Sequence, residues 1–289
     1  MQMKTILTEW RKFVNERVKP GEFYPKKFDD FLNLVKEHED SIWIFFDTET
    51  TGLKHKERHV QVTQIGCSAY RMNGVTEGVE PKLIKAFNIK IKLSPETLEK
   101  MELEKTVPPE EGDPIEKILN MNRYFDHEGE FSEMQNALEK FSEFLDSIPQ
   151  PRVIIAQNAP FDVRIINTAY ERLGMKISDD ELWDTKALLD LHFIPIMKLI
   201  QQDEQASEED KNIIAGINIK NPKGENYYLS TKLGIVTKAL GLDEEGWHDA
   251  LADTQMTAKM FFAVINLVKD RQQKYKVDLS TVKPFGQRR

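Results

Sequence analysis

The sequence predicts an α/β fold, a mixed five-stranded sheet flanked by helices. Three observations carry this. Short apolar runs of strand length recur along the chain, and segments with a helical apolar period lie between them. Their order is three strands, helix, strand, helix, strand and further helices, which makes the first part of the sheet antiparallel.

Residues 4–18 and 27–38 have helical periodicity, with Ile6, Trp10, Phe13 and Val14 on one apolar face and Phe28, Phe31, Leu32 and Val35 on the other. Pro20, Gly21 and Pro25 separate them. Residues 1–40 therefore read as an N-terminal helical arm, packed on a main domain spanning 41–270. Ile42–Phe46 is an apolar, aromatic run that suits a buried strand. Val60–Tyr70 and Leu83–Leu93 are the next two strands. Residues 95–130, with Pro95, Pro108, Pro109 and Pro114, read as an irregular insertion that carries short helices. Residues 132–146 are helical, with Met134, Leu138, Phe141 and Leu145 on one face. Arg152–Ala156 is the fourth strand. A helix follows to Leu173, where Gly174 is a stop signal. Leu182-Trp183 is a short fifth strand, and Asp184 opens a helix to Phe193. Residues 201–226 are polar and read as a second, partly mobile insertion. Thr231–Leu240 and Ala250–Lys269 are the last helices, and 271–289 is a tail.

The apolar content of 40% is enough for a buried core. One cysteine, Cys67, excludes an internal disulfide and sits in an apolar run. No apolar stretch approaches membrane-spanning length, and Met1–Lys19 does not resemble a secretory signal. The expectation is a cytoplasmic protein with no membrane partner. The net charge is −8, which at first sight disfavours a nucleic-acid partner. The two insertions, 95–130 at −7 and 201–211 at −4, account for more than all of it, and the remainder is +3.

That remainder holds three acidic motifs. The first is Asp47-Thr48-Glu49-Thr50-Thr51-Gly52, directly after the first strand. Asp-x-Glu also occurs at Asp126, Asp179 and Asp243, so the context matters more than the spacing. Ligands bind at the carboxyl ends of strands in α/β sheets. In an extended segment Asp47 and Glu49 point the same way and can share a hard cation. Gly52 lets the backbone approach a substrate. The second motif is Asn158-Ala159-Pro160-Phe161-Asp162, where Asn158 suits a helix N-cap and Pro160 the first turn. Asp162 then lies in that first turn, favourably placed in the helix dipole. In the third, His248 stands in a flexible entry loop after Gly246, Asp249 caps a helix, and Asp253 lies one turn inside it among apolar residues. A carboxylate so placed needs a partner or a metal. His248 can serve as a general base. Four carboxylates and one histidine suit metal-assisted phosphodiester hydrolysis.

Together these motifs resemble the DEDDh branch of the DnaQ-like 3′–5′ exonucleases, which have an RNase H-like fold. The first motif matches fully, the second carries Asn158, Phe161 and Asp162, and the third has its histidine five residues before the last aspartate. The resemblance covers residues 41–270. It implies two divalent ions, Mg²⁺ or Mn²⁺, with Asp47, Glu49 and Asp253 on the first and Asp47 and Asp162 on the second. It implies His248 as the base for an attacking water, and Thr50, Thr51, Gly52, Asn158 and Phe161 near the terminal nucleotide. Phe161 either packs near the base or supports the site. Asp184 is expected to cap a helix rather than bind metal. The implied partner is nucleic acid with a free 3′ end, single-stranded DNA first, with an exoribonuclease or oligoribonuclease as the alternative. A replication or repair protein is a further partner, and a catalytically silent binding module a third reading. Gln157 stands where many members have histidine, and it cannot titrate. Lys54, His55, Lys56 and Arg58 follow the first motif as either phosphate contacts or a solvated loop.

Overall fold

The computed structural model describes residues 27–52, 60–106, 124–125, 129–174, 181–221, 226–242 and 248–277. The segment 4–18 and the cationic run Lys54–Arg58 lie outside the described residues.

Five strands form one sheet in the order β3-β2-β1-β4-β5: β1 (Ile42–Thr50), β2 (Val62–Arg71), β3 (Lys82–Lys90), β4 (Arg152–Ala156) and β5 (Glu181–Asp184). β2 runs antiparallel to β1 and β3, while β4 and β5 run parallel to β1. This is the mixed sheet with an antiparallel first part that the sequence predicts. Eight helical segments of more than one turn flank it: α1 (Phe28–Glu37), α2 (Pro95–Thr106), α3 (Met134–Asp146), α4 (Ala159–Arg172), α6 (Ile194–Gln201), α7 (Glu208–Ile217), α8 (Leu233–Ala239) and α9 (Ala250–Tyr275); the short α5 (Thr185–Leu188) precedes α6.

Strand alternation in β1 divides the core in two. Trp43 and Phe45 join Phe28 and Phe31 of α1, Trp183 of β5 and Phe261 of α9 on one side. Ile42, Ile44 and Phe46 join Leu138 and Phe141 of α3 and Tyr170 of α4 on the other, with Cys67 buried among them. Aromatic edges knit the first side: Trp43 and Trp183 meet at 4.8 Å and 75°, a favoured T-shaped pairing. The helix expected over 27–38 is α1, and it packs into this core as read.

Several boundaries differ from the sequence reading. β1 does not stop at Phe46 but continues through the first motif to Thr50, because β2 pairs with it as far as Thr50↔Val62. Pairing outweighs the weak strand propensity of Asp47 and Glu49. The insertion read over 95–130 opens on a helix of twelve residues, and residues 107–123 and 126–128 lie outside the described residues. The polar segment after α6 carries regular structure: α7 buries Asp210, Ile213, Ile214 and Ile217, and β6 (Asn218–Lys220) pairs with β7 (Tyr227–Leu229). Its acids sit in the first turn of α7, where they favour the helix, and a polar composition disguised that. The helix begun at Asp184 does not end at Phe193. It passes through a π-helical turn, Leu189–Phe193, into α6. Pro195 lacks the amide a regular helix would need there, and the widened turn absorbs the misfit. α9 runs to Tyr275, six residues past Lys269.

Among the described residues no helix is long and apolar enough to cross a membrane.

Candidate metal centre

The three acidic motifs meet at the carboxyl end of β1. The parallel partner β4 pairs with β1 only up to Phe45↔Ile155, so the last turn of β1 is open on that side. Asp47 and Glu49 follow Trp43 and Phe45 in the strand alternation and face the side where α9 lies.

Asp162 fills the opening. Its Oδ1 accepts from the Thr48 amide at 3.1 Å and from the Thr48 hydroxyl at 2.6 Å. These bonds span 114 residues of sequence, and they replace the ladder bonds that β4 no longer supplies. The first turn of α4 is set by Pro160 as expected. Asn158 occupies the N-cap position, but its side chain does not cap. It adopts a left-handed backbone, φ 63° and ψ 44°, which an asparagine tolerates, and its amide donates to Asp184 Oδ1 at 2.9 Å. Asp184 also accepts from the Lys186 amide at 2.9 Å, so it caps α5 and ties the second motif to β5. Gln157 is likewise structural here. Its amide donates to the Thr231 carbonyl at 2.9 Å, and its oxygen receives the Thr185 hydroxyl.

The third motif arrives with α9. Asp249 caps the helix through Oδ1, which accepts from Leu251 and Ala252 amides at 3.1 and 3.3 Å. His248 is in the left-handed region, φ 65°, and its amide donates to Asp253 Oδ1 at 3.3 Å. The loop before His248, residues 243–247, lies outside the described residues. Ligand atoms of Glu49, His248 and Asp253 all lie within 4.8 Å of one another.

What allows this approach is Gly66, opposite Asp47 on β2. A Cβ there would lie 2.3 Å from the Ala250 carbonyl carbon and 2.4 Å from the Leu251 nitrogen. No side chain larger than hydrogen fits without moving the start of α9. The sequence reading missed Gly66, although a glycine inside an apolar strand is itself a sign of close backbone approach.

The electrostatics are those of crowded acids. Burial pushes the Asp47 carboxyl well above the ordinary range, and Asp162, Glu49, Asp253 and Asp249 push it the same way. Burial raises Asp162 to about 7, against the opposing pull of its Thr48 hydrogen bonds. The neighbours that act most on Asp47 are all acids, so the cluster favours a bound cation. Its oxygen-rich donors and single imidazole fit a hard divalent ion such as Mg²⁺ or Mn²⁺.

The remaining residues of the reading lie beside the cluster. The Thr50 hydroxyl donates to the Gly52 carbonyl at 2.9 Å, and Thr51 Oγ1 accepts from the Gln61 amide at 3.0 Å. Both hydroxyls thus shape the turn after β1. Phe161 is half-buried and packs against the second core.

No protein-family profile matches the chain, and no curated protein matches it in sequence. Solved structures similar to it include the zinc-bound form of an E. coli exonuclease I complex with single-stranded DNA, at 18% identity and TM-score 0.49 over 81% of this chain. The chain spans 42% of that protein's length, well under two thirds. The nuclease domain of 3′hExo, a DEDDh family member bound to rAMP, is similar over 80% of this chain and 92% of that one, at 13% identity and TM-score 0.40. Cell-death related nuclease 4 is similar over 78% and 64%, at 14% identity and TM-score 0.42.

Proposed function

We propose that the protein is a metal-dependent 3′–5′ exonuclease of the DEDDh type, releasing nucleoside 5′-monophosphates. The observation that carries the reading is the convergence of Asp47, Glu49, Asp162 and Asp253 with His248 at the open end of β1. Asp47, Glu49 and Asp253 would hold one Mg²⁺ or Mn²⁺, and Asp47 with Asp162 a second. When bound, such ions supply Lewis-acid activation of water and neutralise charge on the leaving 3′ oxygen.

The chain's own residues do the rest. Glu49 and Asp253 bring carboxylates of β1 and α9 to one point, so the substrate phosphate is approached from both elements. His248 Nδ1 or Nε2, close to both carboxylates, takes the proton of the attacking water as general base. Its left-handed backbone fixes the ring at the mouth of α9. Thr48 holds Asp162 in one rotamer through two hydrogen bonds. The turn at Thr50–Gly52 presents backbone to the terminal nucleotide. Single-stranded DNA is the favoured substrate.

The test uses four 5′-labelled oligonucleotides, single- and double-stranded DNA and RNA, with Mg²⁺ or Mn²⁺, and with EDTA and Asp47→Ala as controls. A ladder shortening from the 3′ end, absent in both controls, is the expected result. Preference for RNA would move the reading to an exoribonuclease. No cleavage of any substrate would leave a binding module. His248→Ala should lower kcat by about a hundredfold or more with metal affinity largely kept. Equal loss of metal affinity would instead make His248 a ligand.

A further inference from the structure

We infer that Gln64 is a positioning residue for this site, clamping the start of α9 to the sheet and thereby fixing His248 and Asp253 against Glu49. Gln64 lies on β2, paired in register with Glu49 of β1 on one side and Lys90 of β3 on the other. Directly paired side chains stand on the same face, so Gln64 shares the face of Glu49. It is 4% exposed. Its Nε2 donates to Asp249 Oδ2 at 2.7 Å and to Asn88 Oδ1 at 2.8 Å. A carboxylate only accepts, so the amide nitrogen must face Asp249.

The two oxygens of Asp249 then do different work. Oδ1 caps α9 on the Leu251 and Ala252 amides, and Oδ2 is held by Gln64. Asp249 becomes a hinge pin between the helix and β2. His248 is its immediate neighbour, and the His248 amide is bonded to Asp253. Gly66, two residues on and on the same face, supplies the space that lets α9 come this near. Gly66 permits the approach, and Gln64 fixes its register.

The residue type follows from the charges around it. A glutamate here would face Asp249 and Glu49 with a like charge. A lysine or arginine would bring a cation to the place where the acids are to hold a metal. A neutral amide offers two N–H groups from one atom, one for each acceptor, and alters neither balance.

The inference rests on the exonuclease reading for its kinetic arm alone. Gln64→Leu and Gln64→Asn are compared with the wild type, the second keeping an amide that is one methylene too short. Amide hydrogen exchange is followed at Leu251 and Ala252, metal binding by calorimetry with Mg²⁺ or Mn²⁺, and hydrolysis of the preferred oligonucleotide. Loss of a charge-assisted hydrogen bond is expected to speed exchange in the first turn of α9 by about tenfold or more in both variants. kcat is expected to fall about ten- to a hundredfold, with KM held within about twofold. In an Asp249→Ala background, Gln64→Leu should add nothing, because both act through one contact. Unchanged exchange in a folded variant overturns the clamp. Faster exchange with wild-type kcat, or effects that multiply in the double variant, overturns the positioning role. Should the wild type hydrolyse no oligonucleotide, the nuclease reading fails, while exchange still decides whether Gln64 clamps α9.

Discussion

Asp47, half-buried on β1, and Asp210, on α7, have carboxyl groups shifted in opposite directions. Asp210 is fully buried. Burial raises its pKa, but hydrogen bonds from Ser207, Tyr275 and Arg271 more than offset this and bring it down to about 2. Arg271 Nε and Tyr275 Oη each reach it at 2.6 Å, from opposite oxygens. Asp47 has acids where Asp210 has donors, and its carboxyl is driven up. The same residue type is therefore a fastener in one place and a strained site in the other. The neighbours decide the sign. Frustration of this kind in a folded protein marks a place held for something else to bind.

Replacing each aspartate by its amide should separate the two. Asp210→Asn removes the charged acceptor of Arg271 Nε and Tyr275 Oη while Arg271 keeps Glu209 and Asp270, and a loss of about 2 kcal/mol of stability is expected in urea denaturation. A loss under about 0.5 kcal/mol, the size of an exposed pair, would break the contrast.

Gly66→Ala probes the packing on which the site depends. The new methyl meets backbone of α9, not a movable side chain. Displacing Asp253 and His248 by an ångström should lower hydrolysis about a hundredfold, with overpacking costing about 1–3 kcal/mol. Wild-type turnover in this variant would show that α9 does not set the geometry.

Asp47→Asn should have the opposite sign to Asp210→Asn. Removing one of several crowded acids is expected to stabilise the metal-free protein by about 1 kcal/mol while abolishing hydrolysis. A destabilised fold would mean that Asp47 serves structure rather than metal.

A further effect is graded with pH. Asp162 titrates near 7 when folded and near 3.9 when unfolded. Between those values the folded state holds the extra proton, so metal-free stability should fall as pH rises from about 4 to 7. Asp210 works the other way: its contribution is present above its unfolded value and is lost as pH falls toward 2. Added Mg²⁺ should flatten the neutral-pH decline, because it replaces the proton. Thermal unfolding from pH 4 to 8, with and without Mg²⁺, measures both limbs.

Asp210 also shows where the sequence was hard to read. Its surroundings, Ser207 to Lys211, are polar and acidic, and composition suggests a mobile insertion. The partners that bury it, Arg271 and Tyr275, stand more than sixty residues later, beyond the expected end of the last helix. The motif aspartates were easier. Asp47 and Glu49 are two apart on an apolar strand, and His248 and Asp253 flank a capped helix start, so short-range rules suffice for each pair.

The sequence by itself determined the strands, their succession along the chain and most of the helices, because periodicity and caps are local, and the resemblance of its motifs singled out the five residues of the candidate site. Only the tertiary structure decided how those residues meet. Asp162 reaches Thr48 from the first turn of α4 because the pairing of β4 with β1 ends at Ile155. Asn158 gives its backbone, not its side chain, to Asp184. Gly66 and Gln64 become part of the site because α9 lands on β2. Each of these depends on a contact between segments far apart in the chain, and no local pattern in the sequence encodes such a distance.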